Sequence, residues 1–167
     1  IEIKEAIKAK KKIRIIGDYD VDGEMATSIL RTGIERCGGN VDYAIPDRII
    51  DGYGLNENLV RKAIEDGVNL IVTCDNGIAA FNQIQLANEN GVEVIITDHH
   101  EQLEELPNAY AIIDAKRKDN TYPFRGLAGC GVVFKLIQAI SKKLNLDDKE
   151  YLKYLDIVCV GTISDIV

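Results

Sequence analysis

The sequence predicts an α/β domain, with a doubly wound, mainly parallel sheet carrying helices on both faces, and three observations carry that prediction. Short apolar runs rich in Ile and Val alternate with stretches of helical periodicity. The runs are continuous rather than alternately polar and apolar, as strands covered on both faces are. Acids and imidazoles collect just past three of the runs, at the carboxyl ends where open α/β sheets bind ligands.

The elements follow in order. The chain opens in a basic helical stretch, Lys4 to Lys12, and Ile13–Ile16 reads as the first strand. Glu24–Cys37 is a helix, closed by Gly38-Gly39 where a left-handed cap is expected. Val41–Ile45 is a strand, and the polar, Gly-rich Pro46–Leu55 is a loop beyond its end. Asn56–Asp66 is a helix closed by Gly67, followed by the strand Leu70–Cys74. The helix Ala79–Asn90, closed by Gly91, leads into the strand Val92–Thr97. Glu101 and Glu104 are assigned to a further solvated helix, and Tyr110–Ile113 is the last strand. Gly129–Leu144 and Lys149–Ile163 complete the chain as helices. There is no internal repeat and no low-complexity linker.

With 167 residues the chain makes one domain, or one domain plus a fragment, with enough length for a core. A hydrophobic content of 46% and a charged content of 28% are those of a soluble globular protein. No apolar run reaches membrane-spanning length, and no signal peptide precedes the first strand. Cys37, Cys74, Cys130 and Cys159 are widely spaced, with no C-x-x-C pair. Cys74 and Cys159 lie in apolar stretches, so the reading is buried, reduced thiols in a cytoplasmic protein. Lacking an initiator Met, the sequence reads as a piece of something longer. The formal net charge of -7 argues against a polyanionic substrate. Part of that excess is the acidic cluster described next, where two divalent ions would supply about four positive charges. The basic clusters at Lys10–Lys12, Arg117-Lys118 and Lys142-Lys143 read as solvated surface, and the charge balance leaves the partner open.

Asp18-Tyr19-Asp20-Val21-Asp22-Gly23 is the most informative stretch. In an extended segment residues i, i+2 and i+4 share a face, so Asp18, Asp20 and Asp22 would aim three carboxylates into one space. Like charges that close repel unless protons or cations lie between them. Asp75 follows the strand Leu70–Cys74, and Asp98-His99-His100 follows Val92–Thr97. One acid after one strand is an ordinary cap or turn, but such groups after three strands of one sheet are hard to explain that way. Carboxylates and imidazoles without cysteine suit Mn²⁺ or Mg²⁺. His99 and His100 offer two imidazoles, with Asp98 able to orient one of them.

Other groups stay open on the residues alone. Gly126–Gly131 is glycine-rich like a phosphate loop but lacks G-x-x-x-x-G-K-[ST], so close helix–strand packing is the better reading. Lys135 lies one helical turn further on as a phosphate contact. Asp156 and Asp165 flank the apolar segment Ile157–Ile163, and an acid on a buried segment needs a partner such as a metal. Arg48 and Tyr53 are either surface residues or a phosphate contact and a base-stacking ring.

Taken together, IIGDYDVDG, PDRIIDGYGL, CDNG, ITDHH, YPFRGLAGCGVVFKL and YLDIVCVGTISDIV resemble the DHH family of phosphoesterases. They are most similar to its branch of 5′→3′ exonucleases specific for single-stranded DNA. The Asp-x-Asp-x-Asp-Gly form, the PDR…GYGL loop and the LAG-x-G…FKL stretch carry that finer resemblance. It implies a domain holding two metal ions, usually Mn²⁺, with Mg²⁺ as the alternative. It implies Asp20, Asp22, Asp75, His99 and Asp165 as metal ligands, Asp75 bridging, with Asp156 the rival for the last place. Asp18 and Asp98 become further catalytic acids and His100 a contact to the scissile phosphate. Arg48, Tyr53 and Lys135 become substrate contacts. A water activated between the ions would attack phosphorus in line and release 5′-mononucleotides. Single-stranded DNA, and repair or replication proteins, are the implied partners, with no membrane.

The resemblance also implies a second lobe (DHHA1) and an oligonucleotide-binding module beyond Val167, so residues 1–167 read as the first catalytic lobe. Glu24 stands where the family has a small or apolar residue. Three rivals are a phosphodiesterase for short oligonucleotides or cyclic dinucleotides, a non-catalytic replication scaffold, and a plain α/β domain with an acidic loop. The first is disfavoured by Pro46–Leu55, the second by retention of every expected ligand, the third by the spacing of all the motifs.

Overall fold

The protein is described by a computed structural model covering residues 2–167. Its centre is a five-stranded sheet of β1 (Lys12–Ile16), β2 (Asn40–Ala44), β3 (Leu70–Cys74), β4 (Glu93–Thr97) and β5 (Ala111–Ile113), in the order β2-β1-β3-β4-β5. Every neighbouring pair is parallel: Ile13 lies between Val41 and Leu70, Ile71 opposite Val94, and Ile96 opposite Ile112. The chain winds outward to β2 from one side of β1 and to β4 and β5 from the other. The crevice past the carboxyl ends of β1 and β3 is therefore the topological switch point.

Two cores form because successive side chains of a strand face opposite ways. Ile13, Ile15, Leu70, Val72 and Cys74 face one layer, made of α1 (Glu2–Lys8), α2 (Val21–Arg36), α5 (Gly129–Lys143), α6 (Lys149–Leu152) and α7 (Leu155–Asp165). Ile16, Ile71, Val94 and Ile96 face the other, made of α3 (Glu57–Glu65) and α4 (Phe81–Glu89). Each fully buried Ile or Leu stabilises by about 1.5–3 kcal/mol relative to exposure. On the second face Arg14 is buried and reaches both Asp42, at 2.7 Å, and Asp66, at 2.9 Å. Capping follows the sequence: Asp20 accepts from the Gly23 N–H at the start of α2, and Asn56 from the Leu59 N–H at the start of α3. Gly38, Gly67 and Gly91 have the positive φ of helix-terminating glycines.

The structure departs from expectation at several places. The opening helix stops at Lys8, because Lys10 turns left-handed (φ 55) and β1 already begins at Lys12. The helix expected over Lys149–Ile163 is two, broken at Lys153 and Tyr154, where the Tyr154 ring turns into the core. Only one side of α7 packs on α2 and α5, so Val160, Ile163 and Cys159 are exposed rather than buried. Glu101 to Asn108 form a loop, not a helix, for this stretch has no apolar face to bury and carries Pro107. All four cysteines are free. No helix among the described residues is long and apolar enough to cross a membrane.

Candidate metal centre

Three strand ends build the centre. After β1 the chain turns at once into α2, so Asp20 is the N-cap (φ -84, ψ 177) and Asp22 is already helical. The three acids therefore do not alternate along an extended segment as expected. A tight helix start places Asp18 and Asp20 beside Asp75, and Asp22 beside His99 and Asp165. Asp18 is fully buried, and its Oδ1 accepts from the Gly54 N–H at 3.2 Å. Asp22 is buried against the start of α5, where Gly129 N–H donates to its Oδ2 at 2.6 Å and Cys130 N–H to its Oδ1 at 3.0 Å. The glycine-rich turn thus presents its helix N-terminus to this chain's own carboxylate. The glycines are needed for approach: a Cβ at Gly129 would lie 2.7 Å from Asp75 Cβ and 2.9 Å from Asp22 Oδ2.

After β3, Asp75 adopts a left-handed backbone (φ 63), a strained choice that aims its carboxylate into the crevice. Asn76 holds it there. Its amide donates to the Ile16 and Cys74 carbonyls at 3.1 and 2.9 Å, and its oxygen accepts from the Leu55 N–H at 3.1 Å. One buried side chain ties the ends of β1 and β3 to the loop carrying Arg48 and Tyr53.

After β4, His99 Nε2 lies 3.0 Å from Asp75 Oδ1 and 3.9 Å from Asp22 Oδ2, and its Nδ1 lies 3.6 Å from Asp165 Oδ2. Asp98 is buried beneath the pair. Its Oδ1 accepts from the His100 ring at 2.7 Å and from both histidine N–H groups, and its Oδ2 from the Ile78 N–H at 2.9 Å. Burial alone would raise the Asp98 pKa, but these donors hold it below the usual carboxylate range. The same bond to Asp98 pushes His100 up to about 9. His100 Nε2 is 3.2 Å from the Tyr53 hydroxyl, which donates to the Asp75 carbonyl.

The electrostatics are those of a cation site without counter-charge. Burial, with the charge of Asp22 adding, pushes Asp75 up to about 7. Burial likewise raises Asp18 and Asp165. Burial would lower His99, yet the Asp75 carboxylate beside it raises it. Asp18 Oδ2, Asp75 Oδ1, His99 Nδ1 and Asp165 Oδ2 are all buried without a hydrogen-bond partner. Even the 3.0 Å approach of His99 to Asp75 lacks hydrogen-bond alignment, as when two ligands face a common ion rather than each other. Ligand atoms lie within 4.8 Å of one another in three overlapping groups: Asp18, Asp20 and Asp75; Asp22, His99 and Asp165; Asp75, His99 and His100. Oxygen and imidazole donors in this number fit Mn²⁺ or Mg²⁺.

Fold and centre together define a doubly wound α/β domain with a carboxylate–imidazole cation site at its switch point. A family model described as "DHH family, N-terminal domain" matches residues 12–162, and the chain belongs to the DHH family. It is 46% identical over 165 residues to the single-stranded-DNA-specific exonuclease RecJ of Bacillus subtilis, covering 99% of this chain and 20% of that protein. It is 37% identical over 172 residues to RecJ of Escherichia coli, covering 97% of this chain and 30% of that protein. A crystal structure of exonuclease RecJ bound to manganese superposes with a TM-score of 0.89 at 35% identity, covering 99% of this chain and 41% of that one. The chain thus spans about a fifth to two fifths of the relatives it matches.

The remaining expected residues fall into two sets. Arg48 and Tyr53 lie on the loop fastened to Asp18 and Asn76, and Tyr53 reaches His100 directly. Lys135 does not join them. It lines a separate cavity of about 360 Å³ beside β5, with Asp114, Arg117 and Tyr122. Asp156 is exposed at the start of α7, with its carboxylate on the Ile157 N–H, whereas Asp165 meets His99. Glu24 is exposed at the rim of the cleft that Asp20, Asp22 and Asp165 line. Residue-by-residue reading missed Asn76 and Gly54, and read Gly129 as packing without seeing that its amide holds Asp22. Their signal was glycine and asparagine beside acids, in Asp75-Asn76-Gly77 and Asp51-Gly52-Tyr53-Gly54.

Proposed function

We propose that this chain is the first catalytic lobe of a two-metal phosphodiesterase, a 5′→3′ exonuclease on single-stranded DNA that releases 5′-mononucleotides. One observation carries it: four buried ligand atoms from Asp18, Asp75, His99 and Asp165 converge at the switch point without partners. The relatives named RecJ support the substrate, and solved RecJ structures with manganese and with magnesium support the choice of ions. Asp20, Asp22, Asp75, His99 and Asp165 would hold two divalent ions, Asp75 between them, with Asp18 supporting the site.

Bound there, the ions would supply a water acidic enough to attack at neutral pH and positive charge for the phosphoryl oxygens. The chain's own part is positioning. Asp98 fixes the His100 ring through Nδ1, leaving the protonated Nε2 on the open side to donate to a phosphoryl oxygen in place of Tyr53. Gly129 and Cys130 amides hold Asp22 so that it need not reorganise when a cation arrives. Arg48 lies beyond Tyr19 to meet a further phosphate. Four free cysteines are in keeping with a cytoplasmic setting, where repair or replication proteins would be the partners. The test is calorimetric titration with Mn²⁺, followed by hydrolysis of a 5′-phosphorylated single strand by a protein carrying this lobe. Failure to bind Mn²⁺ would overturn the reading.

A further inference from the structure

We infer that the turn after β2 is the nucleobase reader of this lobe: Ile49 and Ile50 pack against unpaired bases of the strand while Arg48 takes its phosphate. The inference rests on the proposed function and adds how that site would demand a single strand.

The two isoleucines are 94% and 80% exposed, although both lie in the loop fastened to the metal centre. This is not a frayed segment. Asp47 Oδ1 accepts from the Ile49 and Ile50 N–H groups at 2.8 and 3.0 Å, and Asp51 Oδ2 accepts from the Asp47 N–H at 3.0 Å. The Asp47 carbonyl accepts in turn from the Asp51 and Gly52 N–H groups. A carboxylate-capped turn therefore displays two adjacent apolar side chains on the surface of this lobe, beside the metal centre.

What stands next to the turn identifies the ligand. The Arg48 guanidinium lies over the Tyr19 ring at 5.4 Å, and no ion pair engages it among the described residues. Tyr19 meets Tyr53 edge-on at 6.1 Å, and Tyr53 meets His100 edge-on at 5.9 Å. A line of rings thus runs from His100 to the Arg48 guanidinium, with the two exposed isoleucines next to it in the turn. A strand with one phosphate at His100 and a later one at Arg48 would carry its bases beside Ile49 and Ile50. Apolar side chains accept any base face, so the contact would be indifferent to sequence, as single-strand binders are. Bases paired in a duplex are turned into the stack and unavailable to it.

The test uses this chain with ¹³C-labelled isoleucine methyls, in Mg²⁺, titrated with a phosphorothioate single strand, an abasic strand of equal length and charge, and a blunt duplex. The single strand is expected to shift the Ile49 and Ile50 methyls at least threefold more than either of the others. In the Ile49→Ser/Ile50→Ser variant the affinity advantage of the natural strand over the abasic one is expected to vanish. Equal shifts with the abasic strand, or silent methyls while amides around Asp75 and His99 respond, would overturn the inference and leave the proposed function standing. No response anywhere near the centre to any oligonucleotide would overturn both.

Discussion

The Gly129 amide and the Asp22 carboxylate, 107 residues apart in sequence, meet at 2.6 Å and join the start of α5 to the start of α2. Neither has room to give. Gly129→Ala would drive its methyl into Asp75 and Asp22, both fixed by their own contacts. We expect a loss of about 1–3 kcal/mol in stability, the usual range for overpacking, and at least tenfold weaker Mn²⁺ binding. Urea denaturation and calorimetry measure the two. Unchanged metal affinity would show that Asp22 does not need this amide.

Asp75 stands among carboxylates without a hydrogen-bond partner for Oδ1. Asp75→Asn removes one buried negative charge, so without metal the variant is expected to melt several degrees above the parent. With Mn²⁺ the order should reverse, because the parent gains stability from the ion and the variant does not. Scanning calorimetry with and without 1 mM-scale Mn²⁺, an amount on the order of that needed to saturate a micromolar site, reads both outcomes. A variant that Mn²⁺ still stabilises like the parent would remove Asp75 from the ligand set. If the proposed function holds, Asp75→Ala should also abolish hydrolysis in a protein of its relatives' full length; activity within about tenfold of the parent, some 1.4 kcal/mol, would count against it.

The adjacent histidines should separate. His99 faces Asp75, Asp22 and Asp165, whereas the His100 ring is committed through Nδ1 to Asp98. His99→Ala is expected to weaken Mn²⁺ binding by tenfold or more, and His100→Ala to spare it while lowering turnover. Equal calorimetric affinities for the two variants would refute the division.

Away from the centre, Arg14 gives the fold an acid limb. Burial raises Asp42, but its hydrogen bonds to Arg14 prevail and hold it below its ordinary 3.8. Asp66 is lowered by its bonds to Lys62 and Arg14. A carboxylate depressed in the folded state contributes stability above its unfolded pKa and loses it as pH falls through the folded one. Arg14→Leu should therefore flatten the fall in Tm below about pH 4, the unfolded carboxylate range. Parallel Tm-versus-pH curves for variant and parent would show that the cluster does not set this limb.

For a long strand this chain alone should be a weak binder. Its net charge is -7, and affinity for single strands grows with phosphate contacts and stacked bases that a chain spanning a fifth to two fifths of its relatives supplies in small number. Fluorescence anisotropy with a labelled oligonucleotide is expected to give a dissociation constant above roughly 10 μM, near the range of non-specific binding at physiological salt. Sub-micromolar binding and processive digestion would contradict this.

Much of this molecule was legible in its sequence. The strands β1, β3 and β4 announce themselves as continuous Ile/Val runs because both their faces are covered, and the acids past them locate the switch point. The edge strand β2 came within one residue at either end, although it is half exposed and its pattern is weaker. What stayed hidden depends on contacts distant in sequence. The break at Tyr154 needs a core to receive the ring, and the exposure of Cys159 needs knowledge of what α7 leaves uncovered. Lys135 looked like a phosphate contact from glycines nearby, but those glycines serve Asp22 and the lysine points elsewhere. Asp18, Asp20 and Asp22 were expected in one space along an extended segment, but a helix start divides them: Asp18 and Asp20 gather with Asp75, and Asp22 with His99 and Asp165.

Asp165, on the last turn of α7, meets His99 in a candidate centre whose first acid is Asp18. Between making one and the other, a ribosome works for on the order of ten seconds. Throughout that interval β1 and its acids can fold, but His99 and Asp22 lack the carboxylate that closes their side. A nascent chain would thus keep one side of the candidate cation site open until α7 docks and brings Asp165 to His99.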